Sequence, residues 1–366
     1  MITKGGIRIF SKELKAAAKC SYPYTDVEFN NNVFVNTDYF RILNILSRNK
    51  VLLTCYRNLS KTFQRGDLLE LKRAIEKEID KERRLIIDVG EKIREVNELL
   101  EAYGIRYLLP KFTFFCREHD DIDILVSLED FNLTLESLKS ENYVITSIQS
   151  PWKVTTAKWI EGRRSSIHVH CKLHWYHRDL EHVPSEKLWK RSILIDDDSS
   201  KVPILSPEDS ILVSAAHAIF ENHEVSLSDI FQITGILRRF QNPNWNEVVD
   251  IAFDNGWCFD LFIFLSAVNY LSFSLYRKTL VPESFFFYAK KRMSRSDRII
   301  RKLAGNVDLS SIPCNYPYPQ VCVSFVHVVF KRYGVNASAL SKVIDEFVYR
   351  AVFELKSLHG DPCALV

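Results

Sequence analysis

Between Gly66 and Tyr103 apolar residues recur every seven positions, at Ile79, Ile86, Ile93 and Leu100, with Ile75, Val89 and Val96 on an adjoining stripe. Glu and Lys fill the remaining faces. That period is one apolar face of a long amphipathic helix or a helical hairpin, packed against a neighbouring domain and stopped by Gly104. Upstream, Asp38 to Tyr56 also reads as helix. Residues 1–35 carry only loop signals, at Gly5-Gly6, Ser21-Tyr22-Pro23 and Asn30-Asn31-Asn32.

The pattern changes at Ile105. Short apolar or β-branched runs at Ile105–Leu109, Ile122–Val126 and Tyr143–Ile148 predict strands, an aromatic segment lies at Phe112–Phe115, and Leu133–Leu138 predicts a helix. From Ile167 to Trp175 the alternation is clean. Ile167, Val169, Cys171 and Leu173 point one way, and His168, His170, Lys172 and His174 point the other. Ile193–Ile195 and Val202–Leu205 flank Asp196-Asp197-Asp198-Ser199-Ser200, the arrangement of a hairpin. Ser206-Pro207-Glu208-Asp209 then supplies a capping hydroxyl, a proline at the first helical position and acids against the helix dipole. A later helix closes at Asn255-Gly256. The expected architecture is α+β: an N-terminal helical region over 1–103, an α/β core over 104–205 and a C-terminal helical region over 206–366.

Composition narrows the function classes only a little. A net charge of +3 is too mild to argue for nucleic acid by itself. The eight cysteines are scattered without a C-x-x-C pair, which excludes a zinc ribbon and a compact disulfide framework. They are expected to be buried thiols in a reducing compartment, so the expected location is cytoplasmic. No signal peptide is expected from Met1–Phe10, which has no long apolar run. Leu261–Tyr276 is the most apolar stretch, but it is short for a membrane span and contains Asn269. It is expected to be a buried core helix, with no membrane partner.

The chemistry concentrates at Asp121 and Asp123. Two apart on a strand, their carboxylates leave the same face of the sheet. Such a pair repels itself unless a cation sits between, and oxygen ligands of this kind suit Mg²⁺ or Mn²⁺. Solvated strand ends often carry D-x-D. Here an aromatic segment precedes it, an apolar strand continues it, and the polar face of the 167–175 strand follows.

Four pieces in order give a resemblance that covers roughly residues 90–260. They are Tyr103-Gly104-Ile105-Arg106-Tyr107-Leu108-Leu109-Pro110-Lys111, Asp120-Asp121-Ile122-Asp123-Ile124-Leu125-Val126, Ile167-His168-Val169-His170-Cys171-Lys172-Leu173, and Leu205-Ser206-Pro207-Glu208-Asp209 followed by Ala215-Ala216-His217. The sequence resembles the uncharacterised nucleotidyltransferases of the DNA polymerase β superfamily, in their archaeal-type branch. The resemblance implies a mixed sheet flanked by helices and transfer of an NMP from an NTP. It implies Asp121 and Asp123 as metal ligands and Lys111 and Arg117 near the phosphates. Two departures stand out. The usual Gly-Ser turn is replaced by Pro110-Lys111-Phe112-Thr113, where Thr113 offers only a hydroxyl, and the third acid of the second strand falls at His168. Imidazole is not an anionic Mg²⁺ ligand, but it can ligate a softer metal or act as a base. The acceptor stays open, with RNA and protein among the choices. The alternative is a module of the same fold with a degraded site that binds a nucleotide, RNA or a protein partner.

Three further features carry possible chemistry beside an ordinary structural role. His168, His170 and His174 share a strand face, but neighbours two apart rarely close a zinc tetrahedron alone, and His170 reads as a packed histidine. His217 lies among alanines and reads as a core histidine with a weak supporting role. The basic run Lys290, Lys291, Arg292, Arg295, Arg298, Arg301 and Lys302, beside Phe285–Tyr288, reads as a solvated helix face before it reads as an RNA surface.

Overall fold

The computed structural model describes residues 10–23, 37–60, 69–83, 89–112, 121–160, 163–174, 181–197, 200–293 and 314–315. Five helices come first: α1 (Lys12–Ser21), α2 (Tyr39–Arg48), α3 (Leu52–Ser60), α4 (Leu69–Arg83) and α5 (Val89–Ala102). Asp38 caps α2, its carboxylate accepting from the amides of Phe40 at 2.9 Å and Arg41 at 3.3 Å. The stretch read as one helix over 38–56 is two, because Lys50 turns left-handed at φ 53°. Asn49, beside it, accepts the amide of Leu227 at 2.9 Å and so fixes the break to the C-terminal helices.

Five strands form one mixed sheet in the order β1-β2-β5-β4-β3. They are β1 (Tyr107–Leu108), β2 (Asp121–Val126), β3 (Val144–Ser150), β4 (Lys153–Ile160) and β5 (Arg163–His170), with α6 (Phe131–Ser140) between β2 and β3. The central pair β2 and β5 is parallel, and the other pairings are antiparallel. After α7 (Ser185–Arg191), the hairpin expected around the aspartate run forms from β6 (Ile193–Asp197) and β7 (Ser200–Ile204). Then come α8 (Pro207–His217), a π turn (Ala218–Asn222), β8 (Glu224–Val225), α9 (Leu227–Phe240), α10 (Trp245–Asp254), α11 (Cys258–Tyr276), α12 (Glu283–Arg292) and β9 (Cys314–Asn315), which pairs with β8. The fold is α+β, as the alternation of patterns implied.

Two apolar clusters organise these elements. One joins α1–α4 to α8–α12, and the other gathers α5, α6 and one face of the sheet. The seven-residue stripe is therefore divided. Ile75 and Ile79 belong to the helical cluster, whereas Ile93, Val96 and Leu100 belong to the sheet cluster. The period was right, but it served two cores rather than one seam. Gly104, at φ 67°, ends α5 in the left-handed conformation that suits glycine.

The sheet divides by face in the same way. Ile122, Ile124, Val126, Ile167 and Val169 point into the sheet cluster, while Leu108 and Leu125 reach the helical one; β5 ends at His170, so Leu173, read as continuing the face of Ile167, lies past the strand and joins the helical cluster instead. Asp121, Asp123, His168 and His170 share the face of Leu125, so the chemistry lies on the side turned toward the helices. α11 is long and apolar enough to cross a membrane, yet 67% of its apolar window is buried inside the protein, as expected of a core helix.

Candidate metal centre

Register brings the polar residues together. In the parallel β2–β5 pair, Asp121 faces Ser166, Asp123 faces His168 and Leu125 faces His170. On the other side of β5, Thr155 faces His168 and Lys153 faces His170. Side chains of paired residues share a sheet face. Asp123, His168 and Thr155 therefore make one row, and Leu125, His170 and Lys153 make the next.

His168 lies between the two acids, its Nδ1 3.4 Å from Asp121 Oδ2 and 3.5 Å from Asp123 Oδ1. His170 Nε2 is 2.7 Å from Asp123 Oδ1. Lys111, on the turn after β1, puts its ammonium 3.3 Å from Asp123 Oδ2. That turn is held where Leu109 donates its amide to the Pro203 carbonyl at 2.9 Å and where Gln232 of α9 donates to the Phe112 carbonyl at 2.7 Å.

The environment sets the charges. Burial pushes the Asp123 carboxyl up, but the Lys111 ammonium and the hydrogen bonds from His168 and His170 outweigh it and hold the group well below the usual carboxylate range. Burial drives His170 down to about 4, although Asp123 pulls it upward. His170 is thus a neutral imidazole at neutral pH whose Nε2–H donates to the ionised Asp123, so Nε2 would bind a metal only once that proton has moved from it. For Lys111, burial acts downward, but Asp123, Glu221 and Asp121 together raise it, so it stays an ammonium.

Asp123, His168 and His170 bring one carboxylate oxygen and two ring nitrogens within 4.8 Å of one another. Ligands ~2.1 Å from one ion stand at most about 4.2 Å apart, so a small closure would let all three bind a single cation. Two imidazoles and one carboxylate suit a nitrogen-tolerant metal better than Mg²⁺, which demands oxygen; of the two ions expected from the sequence, Mn²⁺ is the less exacting in geometry.

The sequence reading is modified in three places. His170, read as a packed histidine, joins the candidate ligand set, while Asp121 stands at its edge, with its Oδ2 3.4 Å from His168 Nδ1. His174 is not among the three, and its Nε2 lies 3.1 Å from Ser150 Oγ. The face of β5 read as polar is covered: His170 is buried and His168 half-buried, since β5 is central in the sheet. Thr113, Arg117, Asp120, His177 and the basic run beyond Met293 lie outside the described residues. Of that run, Lys290, Lys291 and Arg292 end α12, and Arg292 is tied to Asp250 at 2.9 Å.

Beside the triad stands a second group that the sequence did not announce. Glu221 of the π turn reaches Lys111 at 3.8 Å, Lys153 at 3.7 Å and His217 at 3.2 Å. Burial pushes this carboxyl up, yet Lys111, His217 and Lys153 hold it far below its ordinary value. His217 is therefore a partner of Glu221 and not merely core. The i, i+4 spacing of His217 and Glu221 was available in the sequence. Lys153 was hidden, because β4 has no alternation that marks it as a strand.

A family model described as "uncharacterised nucleotidyltransferase" matches residues 36–265. No curated protein and no solved structure matches the chain. The match spans more than half of the 366 residues and contains both acids, both histidines, Lys111, Lys153 and Glu221. The chain belongs to the family of uncharacterised nucleotidyltransferases.

Proposed function

We propose that the protein is a metal-dependent nucleotidyltransferase of the polymerase β type that moves an NMP from an NTP to an acceptor hydroxyl or phosphate. The observation that carries this reading is the convergence of Asp121, Asp123 and His168 from adjacent parallel strands, with His168 Nδ1 within 3.5 Å of a carboxylate oxygen of each acid. Asp123, His168 and His170 would hold the cation, with Asp121 at its side. When bound, the cation supplies positive charge against the phosphate oxygens. Phosphoryl transfer asks little covalent chemistry of the protein, so the chain's own task is to position and to neutralise. Lys111 binds phosphate as a point charge. Before a cation binds, Asp123 and His170 fix each other's orientation through their hydrogen bond. Thr113 and Arg117, next to Lys111 in the chain, are proposed as further phosphate contacts.

The test is pyrophosphate release from each NTP with Mg²⁺ or Mn²⁺ across a panel of RNA and protein acceptors. Activity is expected to favour Mn²⁺, to vanish in Asp121→Asn, and to persist or rise with Mg²⁺ in His168→Asp, which restores an oxygen ligand. Equal activity of the wild type and Asp121→Asn would refute the assignment. One observation favours a second reading, a degraded module that binds without transfer: both Asp123 oxygens are already engaged, by Lys111 and by His170. NTP binding without pyrophosphate release across the whole acceptor panel would select it.

A further inference from the structure

We propose that the phosphate chain of the nucleoside triphosphate is held by Lys111, Lys153 and His217, and that Glu221 occupies this anion site while it is empty. The inference rests on the nucleotidyltransferase reading and names the subsite on which the substrate's charge is bound.

The geometry around Glu221 is that of an anion in a cradle. Its Oε2 lies 3.2 Å from His217 Nε2 and 3.8 Å from Lys111 Nζ, and its Oε1 lies 3.7 Å from Lys153 Nζ. Charge-assisted hydrogen bonds close to about 2.7–2.9 Å when the fit is good. Both lysines stand well outside that range, so the cradle is wider than the carboxylate it contains. A phosphate group is larger than a carboxylate and brings more charge and more acceptor oxygens.

Exposure gives the direction of entry. The Glu221 side chain is 37% exposed, against 20% for Lys111, 12% for Lys153 and 15% for His217. The acid is therefore the most exposed of the four, and in this proposal an incoming anion takes its place on the cations. The backbone at this point is specialised. Glu221 sits in a five-residue π turn at the end of α8, and His223 follows in the left-handed region at φ 54°. Such turns widen a helix by one residue and redirect what they carry. Lys111 also contacts Asp123, so the cradle adjoins the candidate metal ligands. A phosphate chain on these three residues would run directly up to them.

The experiment titrates the full chain with inorganic tripolyphosphate in EDTA by calorimetry, so that neither metal nor transfer enters the readout. Glu221→Gln keeps the shape and removes the competing charge. It is expected to bind about tenfold tighter than the wild type. Lys153→Gln is expected to bind about tenfold more weakly, and all affinities should fall with salt. Because the two variants move in opposite directions, a general loss of structure cannot imitate the result. Glu221→Asp, one methylene shorter, should fall between wild type and Glu221→Gln. Glu221→Gln binding no tighter than wild type, or Lys153→Gln binding unchanged, would overturn the proposal. Tightening in a protein that releases no pyrophosphate upholds the anion site and removes the transferase. Pyrophosphate release without tightening keeps the transferase and removes the anion site.

Discussion

Replacing Arg191 by methionine should destabilise the protein and misplace the helix that carries the anion cradle. Arg191 ends α7 and forks onto Asp209, the third residue of α8, with Nε 2.8 Å from Oδ2 and a second nitrogen on Oδ1. Ser206, the helix cap, adds its hydroxyl to Oδ2 at 3.1 Å. The Asp209 side chain is 0% exposed and that of Arg191 is 25% exposed. Removing one partner of a fully buried pair costs about 3–5 kcal/mol. Solvent reaches Arg191, so about 2–4 kcal/mol is the better figure here. At roughly 2–4 °C per kcal/mol for domains of this class, the melting temperature should fall by about 4–16 °C at pH 7.5. The pH dependence identifies the cause. Burial raises the Asp209 carboxyl above its ordinary value even though Arg191 pulls it down. A raised carboxyl binds its proton more tightly in the folded state. Its contribution to stability is thus fully present below the unfolded value and is lost as pH rises through the folded one. Without Arg191 the folded value climbs further. The deficit of Arg191→Met should therefore be largest at neutral pH and shrink toward pH 5, as followed by calorimetric melts at several pH values. Adding Asp209→Asn should recover part of the loss, since no buried charge is then left alone. A melting temperature within about 2 °C of wild type, or a deficit independent of pH, would refute the reasoning.

Two further outcomes test the helical core. Trp257 is fully buried and donates its indole N–H to the His182 carbonyl at 2.9 Å. Trp257→Ala should cost about 3–5 kcal/mol in urea unfolding, and Trp257→Phe, which loses chiefly the hydrogen bond, about 1–2 kcal/mol. Cys20 of α1 and Cys55 of α3 are both buried, with sulfurs 2.9 Å apart. Mass spectrometry after a short pulse of iodoacetamide should find both unmodified in native buffer and modified in denaturant. Labelling of either at the rate of an exposed thiol would show that α1 does not stay packed on α3.

How much of this was legible in the sequence depends on how local the signal was. The Ser206 start of α8, the hairpin around the aspartate run and the Gly104 stop were readable because capping, turn and left-handed residues act within a few positions. The spacing of Asp121 and Asp123 gave their common face for the same reason. What β5 faces was not local. Alternation marked His168 and His170 as its polar side, but only the strand order reveals that Asp123 on β2 and Lys153 on β4 flank that side and cover it. A histidine that pairs with an acid 47 positions earlier leaves no periodic trace. The divided stripe of α4 and α5 shows the converse. Periodicity reports that a face is buried but not against what, so one seven-residue repeat can serve two cores.

The residues of the site also bear on one another through charge. Lys111 stands between two acids, 3.3 Å from Asp123 and 3.8 Å from Glu221, so it partly neutralises the carboxylate that a metal would need. Ammonium and metal ion are thus competitors for Asp123. A phosphate chain changes that balance. If it displaces Glu221 and draws Lys111 toward itself, Asp123 Oδ2 is released. Substrate and cation would then each favour the other's binding, and such a coupling is reciprocal by thermodynamic necessity. An imidazole at His168, where the resemblance implies a third acid, would make this dependence stronger. Three carboxylates would attract a cation without help, whereas two acids already facing an ammonium do not. On the proposed reading, His168 and the Lys111–Asp123 contact would be parts of one arrangement, in which the site would gather its metal when the triphosphate arrives.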